Sequence, residues 1–234
     1  MKLAIMQPYL FPYIGYFQLI QAADKFVVYD NIEFSKKGWI NRNRILVNGK
    51  DEFITLPLKK GSDFLNINER KLADTFTTDR IKLLRKISEV YRKAPEFKTV
   101  YPLIESVINN KEENLFYFIF LSIQAVCKYL DIATEFVISS AVPLDHQLKA
   151  QDKVIAICKT LNASQYINPI GGLDLYSKET FKQNNIELNF IKTNVVEYKQ
   201  FSDEFVPALS IIDVLMFNPK EKVQQFIQSY YTII

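Results

Sequence analysis

The chain has 234 residues, 48% of them hydrophobic and 24% charged, which is typical of one large folded domain or of one domain with a helical insertion. Its 29 basic and 26 acidic residues give a net charge of +3, which is too small for a protein that wraps nucleic acid. One histidine and two cysteines cannot provide the nitrogen and sulfur ligands of a structural zinc site, so we expect at most an ion held by oxygen ligands, such as magnesium.

Three features of the sequence predict a cytoplasmic protein without a membrane span. The longest apolar run, residues 115–123, is shorter than the roughly 20 residues that a span requires. Gln7 and two prolines interrupt the apolar N-terminal stretch, which therefore lacks the continuous core of a signal peptide. Cys127 and Cys158 lie in apolar helical patterns, where a buried free thiol is usual and no oxidising compartment is required.

The first thirty residues predict a strand, a loop, a helix and a second strand. Residues 2–6 form a short apolar run that ends at Gln7, the helix begins near Gly15, and residues 26–29 form another buried-strand pattern. This order favours a parallel pair of strands joined by a crossover helix.

The middle of the chain predicts a hairpin followed by helices. Runs at 44–47 and 52–56 flank Asn48-Gly49, a strong two-residue hairpin signal. Apolar residues at helical spacing then predict helices, with a break between them bracketed by two prolines. These helices cover residues 79–91 and 112–130, with a further helix over 101–109, and the prolines are Pro95 and Pro102.

Strands and helices alternate again in the last hundred residues. The predicted strands cover 134–138, 165–167 and 187–191, and the predicted helices cover 149–161 and 177–183, with a last helix capped by Asn218. We therefore predict a single α/β domain over residues 1–234, built on an open, mostly parallel sheet with a helical insertion at about 79–130.

The first candidate site is the loop after the opening strand. In an open α/β sheet, ligands bind where strands end and the next helix presents unpaired N–H groups, so an anion or nucleotide phosphate fits this loop. Its candidate residues are Gln7, Tyr9, Pro12, Gly15 and Tyr16, with catalytic roles assigned to Gln7 and Tyr16. The alternative is a proline-rich turn whose aromatic side chains pack on the sheet.

The second candidate site is the basic segment 36–44. Four cations, one indole and two amides within nine residues suit the binding of an anion and the stacking of a ring. The candidate residues are Lys36, Lys37, Trp39, Asn41, Arg42 and Arg44. A solvated basic loop is the alternative. We expect this segment and the first loop to converge on one anion-binding cavity.

Other candidates carry weaker signals. The Gly171-Gly172 pair follows a predicted strand and leaves backbone N–H groups free for a ligand, although ordinary turns also use such pairs. His146 lies in a loop after another predicted strand and is a candidate general base, although a lone histidine is more often a surface or capping residue. Polar residues after the second strand are the nearest partners for a ribose hydroxyl or magnesium: Asp30, Asn31 and Glu33.

Residues 6–17 and 38–44 together resemble the WbqC-like protein family. The resemblance extends less tightly through Gly171-Gly172 and residues 205–213, and so covers essentially the whole chain. It implies a role in making or decorating an amino sugar for a surface polysaccharide of O-antigen type.

The opening strand, loop and helix are also distantly similar to those of adenylate-forming and nucleotidylyl-transferring enzymes, which include the pantothenate synthetases. Pro12, Gly15 and Tyr16 match the phosphate loop of those enzymes, but both of its histidines are missing and Tyr16 replaces the second. A tyrosine can donate a hydrogen bond to a phosphate but carries no charge, so lysines or arginines of segment 36–44 would have to supply it.

Three functions remain open. The leading hypothesis is a transferase that moves an acyl or aminoacyl group to the amine of a nucleotide-linked amino sugar. The alternatives are nucleotidylyl transfer to a sugar phosphate, and a non-catalytic binding or assembly partner of polysaccharide enzymes. A nucleotide, an acyl donor and magnesium are all candidate cofactors, the expected ligand is a nucleotide or nucleotide sugar, and the oligomeric state is left open.

Overall fold

A computed structural model describes all residues from 1 to 234, and its strands form one six-stranded sheet and one hairpin. The eight strands are β1 (Lys2–Met6), β2 (Lys25–Val28), β3 (Arg42–Val47), β4 (Lys50–Thr55), β5 (Glu135–Ile138), β6 (Gln165–Pro169), β7 (Glu187–Thr193) and β8 (Tyr231–Ile233). The large sheet has the order β5-β2-β1-β6-β7-β8, and every neighbouring pair is parallel except β7 with β8. The prediction of an open, mostly parallel α/β sheet is therefore confirmed.

The β3–β4 hairpin is also confirmed. Asn48 and Gly49 connect its strands with φ angles of 50° and 78°. Positive φ at both central residues is the requirement of the type I′ turn, whose twist matches that of the flanking strands. The hairpin lies between β2 and β5 in the chain and pairs with neither of them.

Eight α-helices accompany the strands, and none of them is both long and apolar enough to cross a membrane. They are α1 (Ile14–Ala22), α2 (Phe76–Tyr91), α3 (Phe97–Ile108), α4 (Leu115–Tyr129), α5 (Ala150–Thr160), α6 (Lys178–Gln183), α7 (Ile211–Phe217) and α8 (Lys220–Ser229). Pro102 lies inside α3, so the predicted break at this proline is wrong. Burial of Val100 and Ile104 on either side of it outweighs the lost backbone hydrogen bond.

The end of the chain also differs from the prediction. Asn218 does not cap the last helix: it ends α7, and its side-chain amide donates to the Val214 carbonyl at 2.9 Å. The last helix, α8, begins after Pro219. Neither α7 nor the three-residue strand β8 was predicted, because each is too short to establish a periodic pattern.

Helices cover both faces of the sheet, and alternating side chains of the strands separate two cores. Ala4 and Phe26 belong to a core of 49 buried residues that also includes side chains of α1–α4, α7 and α8. Leu3 and Val27, one position away on the same strands, belong to a core of 13 buried residues together with α5 and α6. We call these the α1 face and the α5 face.

The carboxyl ends of the parallel strands form one edge of the sheet. The chain leaves β1 toward β2 on one side, and it leaves β6 toward β7 on the other. Such a reversal between neighbouring strands opens a crevice outside their carboxyl ends, which is the usual ligand-binding position in open α/β sheets. The segments after β1, β2, β5 and β6 are therefore the ones positioned to contact a ligand.

Candidate functional site

The loop after β1 is held in place by side chains from two distant segments. The Asn43 amide, on β3, donates to the carbonyls of Leu10 and Phe11 at 3.0 and 2.7 Å. The Ser210 hydroxyl, just before α7, donates to the same Phe11 carbonyl at 2.7 Å. The backbone N–H of Ser210 in turn donates to the Arg44 carbonyl at 2.9 Å. The first loop, the basic segment and the 205–213 segment are thus joined by direct hydrogen bonds.

Two backbone positions beside this junction are strained. Phe11 has a φ of 39° and Ala208 a φ of 55°, in the left-handed region that L residues other than Asn and Asp rarely adopt. Each such position costs about 1–3 kcal/mol and persists only where the surroundings enforce it. At Phe11, this enforcement comes from the two hydrogen bonds to its carbonyl and from the burial of its ring.

A cavity of about 280 Å³ opens at this junction. Its lining comes from the end of β1, the following loop, the basic segment and Ala208. The lining residues are Met6, Tyr9, Pro12, Tyr13, Trp39, Asn43, Arg44 and Ala208. The first loop and part of the basic segment therefore do meet at one cavity, which we call the Arg44 cavity.

Arg44 is the one cation that lines the Arg44 cavity. Its Nη1 donates to Asp51 at 2.8 Å and its Nη2 to the Ala208 carbonyl at 3.3 Å, whereas the buried Nε has no acceptor. The guanidinium carbon lies 5.2 Å from the centroid of the Trp39 ring, which is 40% exposed. The cavity thus combines a partly satisfied cation with an accessible aromatic surface.

The other cations of segment 36–44 do not line this cavity. Arg42 donates to the carbonyls of Gly38 and Lys37 at 2.9 and 2.6 Å and so closes its own turn. Lys36 forms an ion pair with Asp63, and Asn41 donates to the Leu56 carbonyl at 2.8 Å. The expected cradle of four cations is therefore not formed, because most donors of the segment bind local acceptors.

Tyr16 faces the core instead of the cavity. It is 2% exposed, its hydroxyl donates to the Gln7 carbonyl at 3.2 Å, and burial raises its pKa well above the ordinary value. Its ring contacts that of Tyr9, with centroids 5.6 Å apart. Tyr16 therefore supports the loop, and the expectation that its hydroxyl contacts a phosphate does not fit this position.

Gln7 acts on a residue that does line the cavity. Its side-chain amide donates to the Tyr9 hydroxyl oxygen at 2.8 Å. Burial raises the pKa of Tyr9, and the Gln7 hydrogen bond only partly opposes this effect. The Tyr9 hydroxyl is therefore neutral at pH 7, and its proton remains available to a ligand oxygen.

The structure gives Gly15 and Gly172 a role in close packing, which differs from the ligand-binding role expected from the sequence. A Cβ at Gly15 would collide with the Thr193 hydroxyl and the Tyr13 ring, so this glycine permits close packing of α1. A Cβ at Gly172 would collide with the Asn168 amide, whereas Gly171 faces open space. Neither member of the Gly171-Gly172 pair lines the Arg44 cavity.

His146 lies at the carboxyl edge but in a different place. Its Nδ1 is 2.9 Å from the Asn31 amide nitrogen, next to the segment that follows β2. Because that nitrogen donates, Nδ1 is the acceptor and Nε2 carries the proton of the neutral ring. The histidine is exposed and is not among the residues of the Arg44 cavity, so its predicted role as a base there has no geometric support.

The Asp30 carboxylate is fully engaged by the protein. It accepts from the Asn68 amide at 2.8 Å, from both hydroxyls of Ser139 and Ser140 at 2.8 and 2.6 Å, and from the Ser140 backbone at 2.9 Å. These contacts occupy most of the acceptor capacity of the Asp30 carboxylate, so it is a poor partner for a ribose or a metal ion. No group of three or more His, Cys, Asp or Glu side chains is arranged to hold a metal.

A larger cavity of about 490 Å³ lies elsewhere, lined by residues 72–80 and 111–113. Of its five charged side chains, Arg80 is bound to the carbonyls of Asn109 and Asn110, and Asp74 is paired with Lys59. None of the residues predicted from the sequence lines it. Its position offers no chemistry comparable with that of the Arg44 cavity.

The model of the WbqC-like protein family matches residues 7–225, which include the first loop, the basic segment and residues 205–213. The chain belongs to the WbqC-like protein family. This WbqC-like chain is also 28% identical over 224 residues to an uncharacterized protein of Mycobacterium tuberculosis, Rv1507c, with 93% of each chain covered. No solved structure matches it, so the resemblance of its fold to nucleotidylyltransferases has no support from structural neighbours.

Sequence reasoning missed several residues of the site. Asn43 and Ser210 lie in the segments that resemble the family, but nothing in their spacing indicates that both bind the loop after β1. Met6 looks like an ordinary core residue in the sequence, whereas Tyr13 lies within the predicted first loop. The one available signal was the repeated association of Asn with Arg in residues 41–44.

Proposed function

We propose that this WbqC-like protein transfers an acyl or aminoacyl group to the amine of a nucleotide-linked amino sugar during synthesis of a surface polysaccharide. The observation that carries the proposal is the Arg44 cavity, where a cation, two stacking surfaces and strained backbone meet at the end of β1. Observed strain at a cleft favours a functional role over a purely structural one. The amino sugar itself is suggested by the family resemblance.

The residues of the cavity have distinct roles in this proposal. Arg44 binds a phosphate of the nucleotide through its guanidinium, whose side chain is 28% exposed and is paired with Asp51 through Nη1 alone. Trp39 and Tyr9 stack on the base or the sugar. Gln7 holds the Tyr9 hydroxyl so that its proton is directed to a ligand oxygen.

Acyl transfer makes modest demands on such a site. The amine nitrogen attacks the acyl carbon, the new amide bond forms, and the bond from that carbon to the sulfur or oxygen of the donor breaks. Positioning of the two reactants and stabilisation of the departing anion supply most of the rate. None of the lining side chains is a base, so the amine proton passes to the leaving group or to water.

Calorimetry with a panel of nucleotide-linked amino sugars tests the proposal. We expect Arg44→Met to weaken binding about ten- to a hundredfold, because a hydrogen bond to a charged group contributes about 1.5–3 kcal/mol. Trp39→Ala is expected to weaken it less. Arg85→Met, on the exposed surface of α2, is the matched control and should bind like the wild type. Unchanged affinity of Arg44→Met would overturn the assignment.

Product analysis separates the alternatives. Incubation with an amino sugar nucleotide and a thioester donor should give an amide and a free thiol. Pyrophosphate release from a nucleoside triphosphate and a sugar phosphate would instead identify a nucleotidylyltransferase. If no nucleotide, sugar nucleotide or acyl donor raises the melting temperature, the assembly-partner hypothesis gains, since a ligand at about 100 times its Kd should add about 2.7 kcal/mol.

A further inference from the structure

Lys153 is a buried lysine on the α5 face, at the carboxyl edge of the sheet. It lies in the first turn of α5 and is 4% exposed. Its ammonium lies 5.0 Å from the centroid of the Tyr29 ring, and Tyr29 is the residue that follows β2. The Tyr29 N–H donates to the Met6 carbonyl, so the residue whose ring contacts the ammonium lies beside the end of β1.

This ammonium contacts the Tyr29 ring but has no carboxylate or hydrogen-bond partner. The protein contains eight ion pairs, and Lys153 takes part in none of them and donates no hydrogen bond. The nearest carboxylate, Asp30, is occupied by serine and asparagine donors. Burial lowers the pKa of Lys153, and the charge of Asp30 only partly opposes this effect. A lysine that is largely buried without a carboxylate partner is uncommon in proteins, so a fold that retains one needs a reason.

The surroundings are suited to an anion. Three side-chain N or O atoms are sealed without any partner, and Lys153 Nζ is not among them, so the ammonium keeps a path to solvent. The adjacent N-terminus of α5 has no side-chain cap, so its first N–H groups lack a side-chain acceptor, and the one carboxylate of its first turn belongs to the exposed Asp152. A lysine next to a free helix N-terminus is a combination that binds phosphate.

We propose that Lys153 and the first turn of α5 form a second anion site, which binds a phosphate group on the face of the sheet opposite the Arg44 cavity. The phosphate supplies the negative charge that the buried ammonium lacks. This proposal does not depend on acyl transfer, and the identity of the ligand in the Arg44 cavity does not affect it.

Pyrophosphate binding, measured by thermal shift and calorimetry at fixed ionic strength against a sodium chloride control, tests this site. We expect pyrophosphate to raise the melting temperature of the wild-type protein, and Lys153→Met to lose at least about tenfold in affinity. Lys159→Met, in the exposed last turn of the same helix, should bind like the wild type. Arg44→Met removes any pyrophosphate bound at the Arg44 cavity, and the stabilisation that remains should vanish in the double variant Arg44→Met/Lys153→Met, which separates this site from the proposed function.

A second measurement uses the wild-type chain alone and so does not depend on the variants folding. Acetylation of individual lysines by an amine reagent is followed by mass spectrometry, with and without pyrophosphate. We expect pyrophosphate to slow modification of Lys153 and to leave that of Lys159 unchanged. Equal rates at Lys153 under both conditions would overturn the proposal, as would a wild-type protein that pyrophosphate does not stabilise or a Lys153→Met variant that binds it normally.

Discussion

The two faces of the central sheet hold a cation at the carboxyl edge in opposite ways. On the α1 face, the Arg44 side chain is 28% exposed and paired with Asp51. On the α5 face, Lys153 is almost completely buried and unpaired. A paired and partly solvated cation costs little, whereas a lysine that is largely buried without a carboxylate partner is uncommon in proteins. The smaller core therefore carries the more unusual cation, which is the observation behind the proposed second anion site.

Residues with positive φ angles also fall into two groups, one in ordinary turns and one at the two candidate sites. Seven residues other than glycine have positive φ angles. Four are Asn or Asp, which tolerate this region, and they occur in the hairpin turn and just after helices: Asn48, Asp131, Asn162 and Asn185. The remaining three, for which the conformation is costly, are Phe11, Ala150 and Ala208. Phe11 and Ala208 flank the Arg44 cavity, and Ala150 begins the helix of Lys153.

The two cysteines test this comparison of the two faces, and the change in their labelling rate is the largest effect that we expect. Cys127 lies in the core of the α1 face and Cys158 in that of the α5 face, and burial raises the pKa of each thiol to about 12. At pH 8 only about one thiol in ten thousand would be a reactive thiolate. We expect labelling by a disulfide reagent to be at least about a thousandfold slower in the native protein than in the unfolded chain.

The order of labelling compares the faces directly. Cys158 should react before Cys127 in mild denaturant, because a core of 13 buried residues opens more readily than one of 49. The rates are read by mass spectrometry after timed quenching. Earlier labelling of Cys127 would contradict the view that the α5 face is the less stable one.

Asn43 tests how far the Arg44 cavity depends on the loop after β1. Asn43→Ala removes two hydrogen bonds to loop carbonyls and the acceptor of the Arg44 N–H, so we expect a loss of about 2–4 kcal/mol in the free energy of unfolding. Asn41→Ala, which removes one hydrogen bond to Leu56, should cost about 1 kcal/mol and serves as the control. Urea unfolding measures both. Equal losses would show that the loop is held without Asn43.

Much of the fold could be predicted from the sequence because it depends on local patterns. Short apolar runs identified β1 and β2, and Asn48-Gly49 identified the hairpin. Pro102 was misread because tertiary burial decides whether a proline is tolerated in a helix. The strand β8 was missed because three residues form a strand only where β7 offers an unpaired edge.

The candidate site could be predicted only in outline. The sequence indicated that the first loop and the basic segment meet, and Trp39 and Arg44 do lie together at the cavity. It could not indicate that Arg42 binds its own turn or that Tyr16 faces the core, because both depend on where side chains point after folding. The burial of Lys153 could not be predicted for a similar reason, because a lysine in a helical pattern resembles any surface lysine.

The smallest expected effect tests whether the backbone of Ala208, at the Arg44 cavity, is strained. Ala208→Gly relieves a left-handed conformation that costs an L residue about 1–2 kcal/mol, but it adds about 0.4–1 kcal/mol of unfolded-chain entropy. We expect a net gain of about 0.5–1 kcal/mol in the free energy of unfolding, measured by urea denaturation. The matched control Ala156→Gly, inside α5, should lose about 1 kcal/mol because its backbone is helical. If both variants lose the same free energy of unfolding, Ala208 is not strained in solution. The Arg44 cavity would then have one strained backbone position beside it, Phe11, instead of two.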